Sequence, residues 1–332
     1  MALAISKVYL APMEGVNDPP MRKVLTRHGA YDACTSEFIR VTDEPIPNKT
    51  LIRYVPELKQ GAVTDSGCPC RVQLLGDVPE SLAITAKRAV ALGANAIDLN
   101  FGCPSRFVHH GGSMLLKEPE LLNRIVSTVR EALDPAIHLS IKFRTGFASS
   151  DELPTIIKAM AVDGVNELII HARTRKDLYR AEAINHAAVG GIMSLTNGIP
   201  VVANGDIVDM KSSKDCASLT NTDRQMIGRA ALGIVNIAQV LKSHAEPCTI
   251  SELLNVVWEF ALEMVALGYA DKSVMDRMKQ FLGYARKFRP ELNSFFRVFA
   301  RCQSVYEAQH LLVSYIEHPE QFEIAPEIQP GA

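Results

Sequence analysis

The sequence predicts a (β/α)8 TIM barrel followed by a C-terminal all-α helical bundle domain. Three observations predict it. Short apolar runs alternate with helical stretches through the first part of the chain, nearly every run ends on a polar or reactive residue, and past residue 245 the strand rhythm stops. The expected division is a barrel over 1–245 and a helical domain over 246–332.

The runs, in order, are VYLAPM (8–13), ACTSEF (33–38), RVQLLG (71–76), AIDLNFG (96–102), HLSIKFR (138–144), ELIIHAR (167–173), IPVVANGD (199–206) and RQMIGRA (224–230). Short strands that read apolar on both faces suit a parallel sheet covered by helices. Between them, 79–92 is rich in Ala and Leu, 119–132 opens on a proline suited to a first helical turn, and 151–163 begins with an acid. A doubly wound sheet shows the same alternation, so the polar strand ends decide. They are Met13 and Glu14, Glu37, Gln73, Asn100 and Cys103, Lys142 and Arg144, His171 and Arg173, Asn204 and Asp206, and Gly228 and Arg229. Polar ends on every run converge on the mouth of a closed barrel, whereas an open sheet concentrates them at a switch point.

Segments 250–268, 272–289, 291–300 and 304–317 carry helical spacing of apolar residues. Within them, residues 271–301 hold eight Lys or Arg against three acids. Residues 302–332 then hold five Glu and neither Lys nor Arg, so the basic stretch belongs to one local element. It reads as a polyanion site or as a solvated helix face.

The composition, 47% hydrophobic and 22% charged, is that of a globular chain rather than a disordered one, and the net charge of −2 excludes a globally basic binder. No stretch approaches a membrane span and the N-terminal residues lack a signal-peptide apolar run, so a cytoplasmic protein is expected. Seven scattered cysteines are expected to be reduced, and Cys68 and Cys70 lack a second pair at zinc spacing, so no metal is expected.

Two chemical signals stand out. VVANGDI and MIGRAAL each place a glycine at a strand end before a helix, with Arg229 beside the second, which suits an anion; two ordinary glycine turns would read the same way. In DLNFGCPS, Cys103 is bracketed by Gly102 and Pro104 after a buried strand. A glycine there permits a conformation or a close approach that a side chain blocks, and the proline fixes the exit. Such a thiol is held and presented, where most free cysteines are small buried hydrophobes.

The set APMEGVND, SEF, VQLLG, DLNFGCPS, IKFRTG, HARTR, VVANGDI and MIGRA resembles the tRNA-dihydrouridine synthases, flavin enzymes that reduce uridine in transfer RNA, from residue 8 to about 300. Among the bacterial branches the chain is most similar to the C subfamily, whose target is position 16 of the D-loop, through EFIRV, LYRAE and RMKQFLGYARK. The resemblance implies an FMN-binding barrel and a helical tRNA-binding domain, with NADPH or NADH as reductant. Pro12, Met13 and Glu14 would lie against the flavin ring, Gln73 would bond its polar edge, Lys142 would sit near its N1 and O2 side, and His171 would touch it. Asn204, Gly205, Asp206, Gly228 and Arg229 would hold its phosphate end.

Hydride from reduced flavin would reach C6 of uracil and a proton from Cys103 would reach C5, a role a thiol titrating near 8.5 can fill. Asn100 would orient the base through its amide. Arg40, Tyr179, Arg277, Lys279 and Arg301 are the implied tRNA contacts, in a protein expected to be a monomer that accepts a flipped base. Two departures are visible. The loop RFVHHGGSMLLK is shorter by about two residues than the family's glycine-rich version, and Phe101 stands where a small residue is usual, narrowing the pocket. The rival readings are a flavin barrel oxidoreductase acting on a free pyrimidine, similar to dihydroorotate dehydrogenase, and an RNA-binding protein whose barrel is a relic.

Overall fold

The computed structural model describes residues 3–105 and 111–318. Part of the shortened loop, residues 106–110, lies outside the described residues. Nine strands form one sheet: β1 (Lys7–Leu10), β2 (Ala33–Thr35), β3 (Ile39–Arg40), β4 (Cys70–Leu75), β5 (Ala96–Phe101), β6 (His138–Arg144), β7 (Glu167–His171), β8 (Val201–Asn204) and β9 (Arg224–Ile227). All pairings are parallel. Because β1 pairs with β9 on one side and β2 on the other, and β2 pairs with β4, the sheet closes into the expected barrel.

Only the first half of the second run is strand, as β2. Ser36 interrupts it, its hydroxyl accepting the Gln73 N–H at 3.1 Å, and the chain rejoins β4 as β3 with Ile39 opposite Leu74.

Helices α1 (Pro19–Gly29), α2 (Asn48–Tyr54), α3 (Pro79–Ala91), α4 (Pro119–Ala132), α5 (Leu153–Met160), α6 (His186–Gly190), α7 (Met210–Thr220) and α8 (Ile237–Ser243) follow the strands. In α4 the leading proline and Glu120 suit the first turn, and Leu122, Ile125, Val126 and Val129 form the buried stripe that helical spacing requires. The segment expected from 151 begins as a 3-10 turn capped by Ser149 and becomes α5 only at Leu153.

The barrel floor, at the strand N-termini, is charged, which the apolar runs do not announce. Buried Glu167 accepts from Arg71 at 2.6 Å, from the Tyr9 hydroxyl at 2.7 Å and from Arg224 at 2.7 Å, while Arg71 stacks over the Tyr9 ring. Although burial alone raises a carboxyl's pKa, His138, Arg71 and Tyr9 around Glu167 hold it well below the ordinary carboxylate range. Above this floor Tyr9, Ala11, Ala33, Ile169, Val202 and Met226 pack as an apolar plug.

Glu167→Ala should cost about 3–5 kcal/mol in urea unfolding, because it strands the buried Arg71 and the half-buried Arg224. The native Glu167 contribution is present above its ordinary pKa and lost as pH falls through the depressed one, so the variant's stability should fall less steeply with acid.

Contacts divide the chain into one unit running to Gly228 with Ala238–Ala245, and a second of Arg229–Ile237 with the residues from Glu246 onward. A single cut at 245 therefore divides the chain differently. The segment after β9 joins the helical unit because Gly233 packs against Ala285 and Phe288, so closely that a Cβ there would lie 2.7 Å from Phe288 Cβ. The second unit contains α9 (Ile250–Ala266), α10 (Asp271–Ala285), α11 (Asn293–Phe299) and α12 (Val305–Glu317). Thr249 and Glu252 cap α9 reciprocally. Its core is aromatic, with Phe260 edge-on to Phe281 and Phe295 between Phe299 and Tyr315. No helix among the described residues is long and apolar enough to cross a membrane.

Candidate active site

The C-terminal strand ends of the barrel bring together Gln73 on β4, Asn100 on β5, Lys142 on β6, His171 on β7 and Asn204 on β8, with the turn 12–17 after β1 and Gly228 after β9. The turn holding Pro12, Met13 and Glu14 is built by its neighbours. Met13 carbonyl accepts from the N–H groups of Val16 and Asn17, and Gly15, at φ 70°, donates to Glu37. The buried Asn17 amide ties the turn to the carbonyls of Ala11 and Thr35.

Cys103 is a partly exposed free thiol on the loop after β5. The Asn100 Oδ1 accepts the N–H groups of Gly102 and Cys103, each at 2.9 Å, and its Nδ2 donates to Gln73 Oε1 at 2.8 Å. Both lone pairs of that oxygen are thereby used on the chain itself, which makes Asn100 first of all the residue that shapes the Cys103 turn. Arg144, buried, grips the other side, donating to Gly102 carbonyl at 2.8 Å and to the carbonyls of Thr174 and Leu178.

The glycine that this turn needs is not Gly102. Gly102 has no positive φ, and a Cβ on it would meet Phe143 only at ordinary contact distance. It is Gly112, at φ 53°, where a Cβ would sit 2.9 Å from Cys103 carbonyl, the same oxygen that Ser113 N–H and Oγ hold. Gly112→Ala should lower stability by about 1–2 kcal/mol in thermal unfolding and slow any reaction that needs Cys103.

Burial raises the Cys103 thiol and Glu14 adds to the rise, opposed by the Ser105 hydrogen bond, Arg144 and Lys142, so it is protonated at neutral pH. The Lys142 ammonium donates to Asn204 Oδ1 at 3.1 Å, and Asn204 Nδ2 is fixed on Met226 carbonyl at 2.8 Å. Burial, then the Arg144 charge, lowers Lys142 to about 8.

Around His171, Arg173 places Nη1 3.4 Å from Nε2, pairs with the Asp206 carboxylate and donates to Arg180 carbonyl. Because the Asp206 side chain is paired with that arginine, a phosphate would meet it through the backbone. Gly205 sits at φ 124°, and a Cβ there would lie 2.6 Å from Ile184 and 3.1 Å from His171. Gly228 is different: a Cβ would reach only Ala11 and Met13, at 3.8 and 3.9 Å. An ammonium, primary amides and a glycine-lined turn make a donor set that fits the polar edge and anionic tail of a flavin.

The Tyr179 ring lies 6.1 Å from the His171 ring, centroid to centroid. Arg40 is exposed on β3, and Tyr179 is exposed beneath the Arg144 guanidinium, 5.2 Å from its ring centroid. Arg229, Arg277, Lys279 and Arg301 belong to the helical unit. There Arg277 stacks over Phe260 and donates to Gln280, and Lys279 donates to Cys302 carbonyl, while Arg301 is exposed. The sequence marks Arg144 and Arg173 only as polar strand ends. Asp98 escapes it, although it shares the inward face of β5 with Asn100, two residues on.

A family model described as Dihydrouridine synthase (Dus) matches residues 9–318. The chain is 43% identical over 300 residues to the tRNA-dihydrouridine(16) synthase of Haemophilus ducreyi, covering 90% of this chain and 92% of that one. It is 41% identical to that of Pasteurella multocida over 89% and 95% of the two chains, and 40% identical to that of Escherichia coli K12 over 88% and 92%. Among solved structures, histamine dehydrogenase from Rhizobium sp. 4-9 shares the fold, with a TM-score of 0.57 at 11% identity over 78% of this chain; the chain spans about half, 49%, of that one. A match over nearly the whole chain, with Cys103 and Lys142 at the mouth of a closed barrel, shows that the chain belongs to the dihydrouridine synthase family, whose members are flavin-dependent oxidoreductases acting on tRNA.

Proposed function

We propose that this protein reduces uridine to 5,6-dihydrouridine at position 16 of the tRNA D-loop, with FMN as cofactor and NADPH or NADH as electron donor. The observation that carries the reading is a partly exposed Cys103 on a loop clamped by Asn100 and Arg144, at the same barrel mouth as Lys142. The choice of position 16 is supported by the printed names of the relatives.

Reduced FMN, when bound, would supply hydride chemistry at C6 of uracil. Gln73, Lys142 and His171, with Pro12, Met13 and Glu14, are the residues that would line its ring, and Asn204, Gly205, Asp206 and Gly228 its phosphate end. Cys103 gives the proton to C5, and its raised pKa keeps that proton available at neutral pH. The Lys142 ammonium holds negative charge on the ring side of the site. A uridine in folded tRNA must leave its stack to enter a barrel mouth, so Arg40 and Tyr179 near that mouth, and Arg277, Lys279 and Arg301 on the basic stretch 271–301, are proposed to hold the RNA. The protein is proposed to act as a cytoplasmic monomer.

The test is dihydrouridine mapping in tRNA from a strain deleted for this gene and complemented with the wild type. Loss confined to position 16 and restored by the gene is the expected result. Survival of every dihydrouridine, in a background free of redundant synthases, would refute the assignment and favour a free pyrimidine as substrate.

A further inference from the structure

Asp98 and Gln73 have no exposure to solvent, Asn100 above them is 7% exposed, and nothing in the reaction touches Asp98. Its carboxylate accepts from Ser140 Oγ at 2.5 Å and from Gln73 Nε2 at 2.6 Å. From there a single row of hydrogen bonds climbs to the catalytic loop. Gln73 Oε1 accepts from Asn100 Nδ2, and Asn100 Oδ1 accepts from Gly102 and Cys103 N–H.

The row has a direction, set at both ends. Backbone N–H groups can only donate, so Asn100 must show them its oxygen and turn its NH2 to Gln73. Gln73 must then present oxygen to Asn100 and NH2 to Asp98, where an ionised carboxylate can only accept. An amide alone has no such preference, since its two ends are nearly the same shape. Reversing Gln73 would set N–H against N–H at Asn100 and oxygen against oxygen at Asp98, each leaving buried polar groups unsatisfied.

We propose that Asp98 is a positioning residue, which fixes through Gln73 and Asn100 the donor and acceptor pattern that the barrel mouth offers to the polar edge of the flavin and the seat of the Cys103 turn. This rests on the function proposed above. Burial raises the Asp98 carboxyl, while the Ser140 and Gln73 bonds and Arg71 and Lys142 oppose the rise; the acceptor role itself rests on the two donors that converge on its oxygens.

The test is FMN titration of full-length apoprotein, followed by flavin fluorescence, with folding checked by circular dichroism. Asp98→Asn keeps an acceptor for Gln73, and Ser140 can reverse to accept from the new amide; it should bind FMN within about threefold of wild type. Asp98→Leu should weaken binding about tenfold or more. The double variant Asp98→Leu/Gln73→Leu should bind no more weakly than Gln73→Leu alone, because Asp98 acts through Gln73. Additive losses, or Asp98→Asn as weak as Asp98→Leu, would overturn the proposal in favour of a general structural role.

If Asp98→Leu does not fold, Gln73→Glu decides. It sets two acceptors against each other, and adding Asp98→Asn restores a donor, so the double variant should bind FMN about fivefold more tightly than Gln73→Glu. Equal binding overturns the proposal. A wild-type apoprotein that takes up no FMN would instead sink the proposed function, whereas normal wild-type binding with indifferent Asp98 variants sinks only this inference.

Discussion

Cys103→Ala should lower dihydrouridine formation by about 10²- to 10⁴-fold while leaving reduction of the bound flavin by NADPH or NADH within a factor of about two. The asymmetry follows from where the thiol sits. Its backbone is held by Asn100 on one side and Arg144 on the other, through main-chain atoms that alanine also possesses, so truncating the side chain leaves the turn in place. What is lost is one proton donor, and only the step that adds a proton to uracil C5 needs it. Cys103→Ser restores the size and a hydroxyl but not the acidity, and should recover less than a tenth of the activity. Rapid mixing of the reduced enzyme with unmodified tRNA, read as flavin reoxidation, separates the two half-reactions. A Cys103→Ala enzyme that reoxidises at the wild-type rate would remove the acid role from this residue and assign the proton to solvent or to another side chain.

The barrel was legible in the sequence because each strand is a short apolar run with a polar end, and closure follows from polar ends on every run. β6 is the run HLSIKFR residue for residue, and α4 is the segment that opens on Pro119. What could not be read depends on partners distant in the chain. Ser36 breaks its strand by accepting from Gln73, and no local pattern announces a bond across 37 residues. The charged floor was hidden for the same reason: Arg71 and Glu167 are isolated polar residues in apolar runs, and only closure of the barrel places them 2.6 Å apart. In the site, Cys103 was legible from its bracket, but for an incomplete reason. Pro104 does follow it, yet the conformational demand for glycine is at Gly112, nine residues after Cys103, where the returning chain passes over the Cys103 carbonyl. Asn100 was legible as a site residue from its position at a strand end. That its oxygen is filled by the loop it supports is visible only once the loop has folded back.

Lys142→Met should lower tRNA reduction by about 10²- to 10³-fold and at the same time raise the stability of the apoprotein at neutral pH. The two effects have one cause. Burial and the neighbouring Arg144 charge bring Lys142 down to about 8 from its ordinary 10.5, so the folded protein carries its ammonium at neutral pH against a cost that the unfolded chain does not bear. Between those two values the unfolded state binds more protons than the folded one, so stability rises with pH through this window. Below pH 8 the cost is fully present, worth at most about 3 kcal/mol. Methionine fills the same volume without it and should flatten this limb of the stability curve. The function gains what the fold loses, because an ammonium short of solvent is the group best able to hold negative charge on a bound ring. An anionic ligand will in turn hold the proton on Lys142, so FMN binding should take up a proton above pH 8 and weaken as pH rises, a dependence absent in Lys142→Met. Calorimetric titration in two buffers of different ionisation enthalpy measures that proton directly. Proton uptake that persists in Lys142→Met would move the titrating group elsewhere in the site.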